Sequence, residues 1–139
     1  MLQHAYYLRY FYFHHNLNHT IGDLFGVIFF LKFFDSSRIL KKWKKKLVRI
    51  FRKQIFLQLR KDGVNIEQSV NYHRIVISFF IFFAIVYPNT ISGKELSNIE
   101  KGLKYLYYIR KPNGKLPNVG DSDNGKVVPL NTYKKEHYL

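Results

Sequence analysis

Apolar residues recur at every third or fourth position along most of the chain, a spacing typical of helices. Four such stripes can be followed, over Thr20–Phe34, Arg38–Arg60, Val70–Tyr87 and Glu95–Arg110. The second stripe is strongly amphipathic, whereas the first and third are apolar nearly all round and require neighbours on more than one side. The pattern therefore predicts an all-α chain of four helices. In the fourth helix it places Ile99, Leu103, Leu106 and Tyr107 inward.

The ends of these predicted helices carry recognisable signals. Asp35-Ser36-Ser37 offers N-cap oxygens to the second helix, and Gly63 supplies the turn geometry that ends it. Residues 64–69 are predicted to be a short extended connection. Pro88-Asn89 ends the third helix, and Pro112-Asn113-Gly114 ends the fourth.

The sequence that ends the second predicted helix is similar to the sequence that ends the fourth. The segment that ends at Gly63 resembles the segment that ends at Gly114, 51 residues later, and each is followed by an acid and a serine. Two helical hairpins of about 50 residues are therefore predicted, a period found in solenoids and helical toroids. Because two such hairpins rarely cover their own apolar faces, we expect the chain to be a piece of a larger helical domain or to assemble.

Composition narrows the classes further. A chain of 139 residues fits one domain, and 47% hydrophobic residues exclude a disordered protein. The absence of cysteine excludes disulfides, thiolate metal sites and cysteine nucleophiles. His15 and His19 have helical i, i+4 spacing but no evident third ligand, so no metal site is predicted, and no cofactor.

The charge is concentrated in the second helix. The formal net charge is +14, and residues 38–61 hold 11 Lys and Arg with no acid. Three interpretations remain: a solvated face, an anion-binding face for nucleic acid or acidic polysaccharide, and a membrane-surface helix. No module typical of nucleic-acid recognition is present, so nucleic acid is the less favoured anion.

The apolar runs at 24–34 and 75–87 are shorter than the roughly 20 residues that span a bilayer, which favours buried core helices. A membrane-associated protein with two short hydrophobic hairpins stays open as an alternative.

The first 19 residues contain a single Lys or Arg, Arg9, and no small-residue cleavage site. No signal peptide is therefore predicted, and the location is left open.

Three ordered motifs carry a family resemblance. They are Asn16-Leu17-Asn18-His19 at the start of a helix, Asp62-Gly63-x-x-x-Glu67-Gln68-Ser69-x-x-Tyr72-His73-Arg74, and Asn113-Gly114-x-Leu116-Pro117-x-x-Gly120-Asp121-Ser122-Asp123. Their order and spacing resemble the heparinase II/III polysaccharide lyases over about residues 14–130. The resemblance implies that residues 1–139 form a single partial domain, an incomplete (α/α) toroid of helical hairpins with a loop-rich C-terminal tail. In the family, further helices precede this segment and a β-sandwich region follows it.

The resemblance also implies a chemistry, which is β-elimination at a uronic acid of an acidic polysaccharide. By motif position, Asn18 would neutralise the substrate carboxylate. Tyr72 could act as base or acid, with donation of a proton to the leaving oxygen as its favoured role, and His19 would be the alternative base for substrates of opposite C5 configuration. Glu67 and His73 would support the site through hydrogen bonds. Arg74, Lys44 and Lys45 are weaker candidates for substrate binding.

The same resemblance implies an incomplete site, because the family draws a further histidine from beyond this segment. We therefore expect a truncated or inactive lyase piece, or a C-terminal half supplied by another chain. The alternative is a non-catalytic module that binds acidic polysaccharide through the basic helix 38–61. Taken alone, Asn18 would be a helix N-cap, Tyr72 a packing residue, and the turn at Gly120 a structural turn against the second hairpin.

Overall fold

The computed structural model describes Gln3, Tyr7, residues 17–121, Gly125 and Val127. Between residues 17 and 121 the backbone forms four α-helices and a 3-10 turn: α1 (Asn18–Phe33), α2 (Arg38–Gln58), α3 (Val70–Val86), the turn Pro88–Thr90, and α4 (Gly93–Tyr108). The all-α prediction is confirmed. No helix in the described part of the chain is long and apolar enough to cross a membrane.

The helices pack as two hairpins side by side. α1 contacts α2 and α3, and α4 contacts α3 and α2. α1 and α3 run in the same direction, because Gly22 lies beside Phe79 at one level and the Tyr87 hydroxyl donates to the Ile28 carbonyl further along. The N-termini of α1 and α3 therefore lie at the same end of the bundle.

The core lies between these helices and is largely aromatic and branched aliphatic. Phe51 of α2 is fully buried, with ring centroids 4.6 Å from Phe83 and 5.7 Å from Phe80 of α3. Serine hydroxyls begin three of the helices: Ser37 accepts from the Leu40 N–H, Ser69 from Tyr72 and Ser92 from Glu95. The predicted cap at Ser37 is thus confirmed.

The predicted repeat is confirmed at its turns. Gly63 N–H donates to the Arg60 carbonyl and Arg60 N–H donates to Val64, with Gly63 at φ 88°. Gly114, Lys111 and Lys115 make the same two bonds, with Gly114 at φ 81°. Even the side-chain bond recurs, since Asp62 and Asn113 each accept from the N–H two residues on.

The predicted inward face of α4 is wrong in part. Ile99 is buried, but Leu103 and Tyr107 are 42% and 65% exposed. The buried stripe of α4 is instead mainly polar, Glu95, Asn98, Ile99 and Gly102. Glu95 pairs with Arg52, and the Asn98 amide donates to the Ile55 carbonyl. Polar partners on α2 satisfy these groups, so the apolar pattern of α4 marks its outer side.

Candidate active site

The motif Asn16-Leu17-Asn18-His19 contains the start of α1, and its N-cap residue supplies no side-chain capping bond. Leu17 is the N-cap and makes no side-chain capping bond, while Asn18 is already the first helical residue. The prediction that Asn18 caps the helix is therefore wrong. Its backbone N–H donates to Glu67 Oε1 over 2.8 Å, and its side-chain Nδ2 donates to Glu67 Oε2 over 3.0 Å.

This pair joins two motifs that are 49 residues apart in sequence. The Glu67 carboxylate takes the place of a cap: it accepts from the first turn of α1, where the helix dipole favours negative charge. Its second oxygen fixes the orientation of the Asn18 carboxamide. Within the described part of the chain, Glu67 uses one N–H of that amide, which leaves its other N–H and its carbonyl oxygen for a ligand.

Glu67 is itself held by a buried polar chain. Asn65 is fully buried; its side-chain oxygen accepts from the Glu67 N–H over 2.9 Å, and its amide donates to the Gln58 carbonyl. The backbone N–H of Asn65 donates to His73 Nδ1 over 3.0 Å. His73 Nε2 lies 2.9 Å from the Gly102 carbonyl, so Nε2 carries the proton and donates to it.

His73 is therefore a bridge between the Glu67 loop and α4. Only 1% of the residue is exposed, and both ring nitrogens are engaged within the protein. Burial lowers the pKa of its imidazole, against the opposing effects of the Gly102 bond and of Asp62, so the neutral ring is favoured. These contacts join the Glu67 loop to α4; the supporting role of His73 in a reaction stays a prediction.

Tyr72 lies in the first turn of α3, beside the end of α1 that carries Asn18. It is half-buried, and its hydroxyl has no hydrogen-bond partner within the described part of the chain. Tyr87 differs, because its hydroxyl donates to the Ile28 carbonyl over 2.7 Å and its pKa is raised to about 12, chiefly by burial. Tyr87 is thus a packing tyrosine, whereas the Tyr72 hydroxyl is available for another partner.

The third motif packs against the start of α3. The Val119 carbonyl accepts from the Val70 N–H, and the Asp121 carbonyl accepts from Ser69 Oγ over 2.7 Å. Gly120 has φ 77°, and a Cβ there would stand 2.9 Å from the Ser69 Cα, so only glycine allows this approach. The predicted packing of this turn on the second hairpin is confirmed as far as residue 121; Ser122 and Asp123 lie outside the described residues.

The other residues predicted for the site lie at two opposite ends of the bundle. His19 is exposed in the first turn of α1, and Arg74 of α3 donates to the Gly125 carbonyl over 3.0 Å, both at the Asn18 end. Lys44 and Lys45 lie near the start of α2, at the opposite end of the bundle, where Lys44 pairs with Asp35. The structure therefore gathers Asn18, Glu67 and the first turn of α3, and does not bring Lys44 or Lys45 to them.

Known protein families provide one decisive comparison. The family model described as heparinase II/III N-terminus matches residues 1–138. The chain belongs to this family. A search of the curated proteins and a search of the solved structures each found no match.

Sequence reasoning missed two features of this heparinase II/III N-terminal chain. Asn65, the buried organiser of the Glu67 loop, carries no signal beyond lying inside the second motif. Gln68 adopts a left-handed backbone at φ 57°, which turns the chain between Glu67 and Ser69. The predicted extended connection is thus a bridge between Leu59 and Asn65 followed by tight turns. Among the described residues, no three His, Asp or Glu side chains form a group that could hold a metal ion.

Proposed function

We propose that the chain forms the helical part of a lyase site that cleaves uronic-acid-containing polysaccharide by β-elimination. The observation that carries the proposal is the pair of hydrogen bonds from Asn18 to Glu67. It unites two motifs at the helix ends where the third motif also packs. Membership of the heparinase II/III N-terminal family supports the relation to polysaccharide lyases.

The difficulty of the reaction defines what the site must supply. The C5 proton of a uronate is weakly acidic, because its removal adds negative charge next to an ionised carboxylate. Donors aimed at that carboxylate stabilise the charge as it develops. In the proposal, the free N–H of the Asn18 amide is one such donor, and Glu67 is a positioning residue that holds the amide.

The proton transfers fall to His19 and Tyr72. His19 is exposed beside Asn18 and takes the C5 proton. The electron pair of the C5–H bond forms the C4–C5 double bond as the bond from C4 to the leaving oxygen breaks. The Tyr72 hydroxyl gives its proton to that oxygen, which leaves as an alcohol. For a sugar of opposite C5 configuration, Tyr72 as phenolate takes the C5 proton and, now a phenol, returns that proton to the leaving oxygen.

The test is ultraviolet absorbance of the unsaturated uronate product. The purified chain is incubated with heparan sulfate, heparin, chondroitin, hyaluronan and alginate in turn. We expect product from at least one polymer, and loss of product in Tyr72→Phe and Asn18→Ala. Tyr108→Phe is the matched control, because Tyr108 is 78% exposed on α4, and it should retain activity.

Absence of product from every polymer, with helical content retained by circular dichroism, would refute catalysis by this chain. Equal product from the wild type and Tyr72→Phe would refute the assigned proton donor. Product lost in Tyr108→Phe as well would show that the assay reports the fold and not the site.

A further inference from the structure

Two grooves follow the same side of α2. The first has a volume of about 520 Å³ and is lined by Lys42, Lys45, Lys46, Arg49, Asn89 and Thr90, among others. The second has a volume of about 590 Å³, and its lining includes Phe56, Arg60, Lys61, Lys94 and Lys101. Both grooves are strongly cationic, and the described residues that line them include no acidic side chain.

The two grooves follow one another along the helix and have no described lining residue in common. Five of the α2 residues that line them are spaced three or four apart, at positions 42, 45, 49, 52 and 56, so these five share one face. The opposite wall of both grooves comes from the segment 89–101, first the 3-10 turn and then α4. At 1.5 Å per residue, positions 42–58 of α2 extend over about 24 Å, the scale of an extended polymer and not of a single small anion.

The cations on α2 do not stabilise the helix that carries them. Arg38 and Lys41 lie in or beside its first turn, which has no acid, and its last turn has no base. Positive charge at a helix N-terminus opposes the dipole, and like charges one turn apart repel. Within the described residues, the carboxylates paired with α2 cations are Asp35 with Lys44 and Glu95 with Arg52.

We propose that the two grooves form one linear track that binds an acidic polysaccharide chain. The class of polymer rests on the proposed function, whereas the track itself rests on the charge and shape of α2. It begins at the end of the bundle remote from Asn18 and ends at the turn Arg60–Gly63, at the Asn18 end. The track therefore holds the polymer on a surface outside the candidate active site.

A nucleic acid is the less suitable occupant. Single-stranded nucleic acids bind to a succession of aromatic platforms on which bases stack. The lining residues of the two grooves include one aromatic side chain, Phe56. Lysine, which dominates the first groove, is a point charge without the planar fork that reads base edges.

The experiment measures binding of the full chain to heparin and to hyaluronan in the Tyr72→Phe background, so that cleavage cannot remove the ligand. A track variant carries Lys42→Gln, Arg49→Gln, Arg60→Gln and Lys61→Gln. The matched control carries Lys53→Gln, Lys104→Gln, Lys111→Gln and Lys115→Gln, the same change of net charge on exposed residues that line neither groove.

We expect the track variant to lose about tenfold or more in heparin affinity, with a shallower dependence of affinity on salt, because fewer counterions are released. The control should stay within about twofold, as expected for charges outside the binding surface. The thermal midpoint of the track variant should rise, since repulsion along α2 is relieved.

Three results would overturn the track: equal losses in both variants, no measurable binding of either polymer, or tighter binding of single-stranded DNA than of heparin. None of these depends on catalysis. A chain that binds through the track but yields no unsaturated product would instead refute the proposed lyase reaction alone.

Discussion

The substitution Glu67→Gln should destabilise the fold while changing almost no volume. The carboxylate accepts two hydrogen bonds from Asn18, at 2.8 and 3.0 Å. Glutamine keeps one acceptor oxygen and places an NH₂ group where the second acceptor was, so one donor of Asn18 loses its partner. The negative charge at the start of α1 is lost as well.

The magnitude follows from these two losses. Hydrogen bonds to a charged group contribute about 1.5–3 kcal/mol, and charge at a helix terminus about 0.3–1 kcal/mol. Because Glu67 is half-buried, water replaces part of what is lost. We expect a decrease of about 2 kcal/mol in the free energy of unfolding, which for a chain of this size lowers the thermal midpoint by roughly 6–8 °C.

Urea and thermal unfolding followed by circular dichroism measure both quantities. Glu100→Gln is the matched control: it also removes one carboxylate, but from an exposed pair with Lys104, and it should leave the midpoint unchanged within error. A double-mutant cycle with Asn18→Ala isolates the side-chain bond, because the backbone N–H of residue 18 is retained. A coupling below about 0.5 kcal/mol, or equal midpoints for Glu67→Gln and the control, would refute the assignment of Glu67 as the holder of the Asn18 amide.

Three further predictions concern the surroundings of the site. Burial raises the pKa of Glu95, but its bonds with Arg52 and Ser92 outweigh this effect and hold the pKa below 4.5. The contribution of Glu95 to stability is therefore present above pH 4.5 and is lost as the pH falls below that value. The free energy of unfolding of Glu95→Gln, measured across this range, should lack this dependence on pH. The pKa of His73 is lowered from 6.5 by burial, so stability should decline as pH falls below 6.5, and the decline should vanish in His73→Gln. Gly102→Ala places a Cβ 2.3 Å from Ile77 Cδ1 and should cost about 1–3 kcal/mol, whereas Gly26→Ala, with nothing within 4 Å, should stabilise by about 0.5–1 kcal/mol in the same urea titration. Destabilisation by both alanines would contradict the packing argument.

The helices were predictable because their determinants are local. Apolar spacing, the serine cap at Ser37 and the glycine at Gly63 act within one turn of the residues that they affect. The predicted end of α2 at Arg60 differs from the observed end at Gln58 by two residues, the range over which helix ends vary.

The inner face of α4 was not predictable in the same way. A hydrophobic pattern locates a core only where the neighbouring surface is apolar, and α4 packs on a surface that offers Arg52 and the Ile55 carbonyl near the end of α2. The bond between Asn18 and Glu67 is equally invisible to local reasoning, because it depends on how two hairpins dock. The order of the motifs suggested that Asn18 and Glu67 share a site. The packing of the first hairpin against the second determines that Glu67 holds the Asn18 amide.

The twin turns at Gly63 and Gly114 separate two constraints that usually act together on a glycine. A Cβ at Gly63 would stand 2.5 Å from the Gly102 backbone nitrogen, whereas a Cβ at Gly114 would meet nothing within 4 Å. Both nevertheless adopt a left-handed backbone with the same hydrogen bonds. The turn conformation is therefore determined by its own few residues. It forms whether or not a helix packs against it. A segment with this property is a transferable part: exchanging residues 60–64 with 111–115 should preserve both turns while altering only the contact with α4.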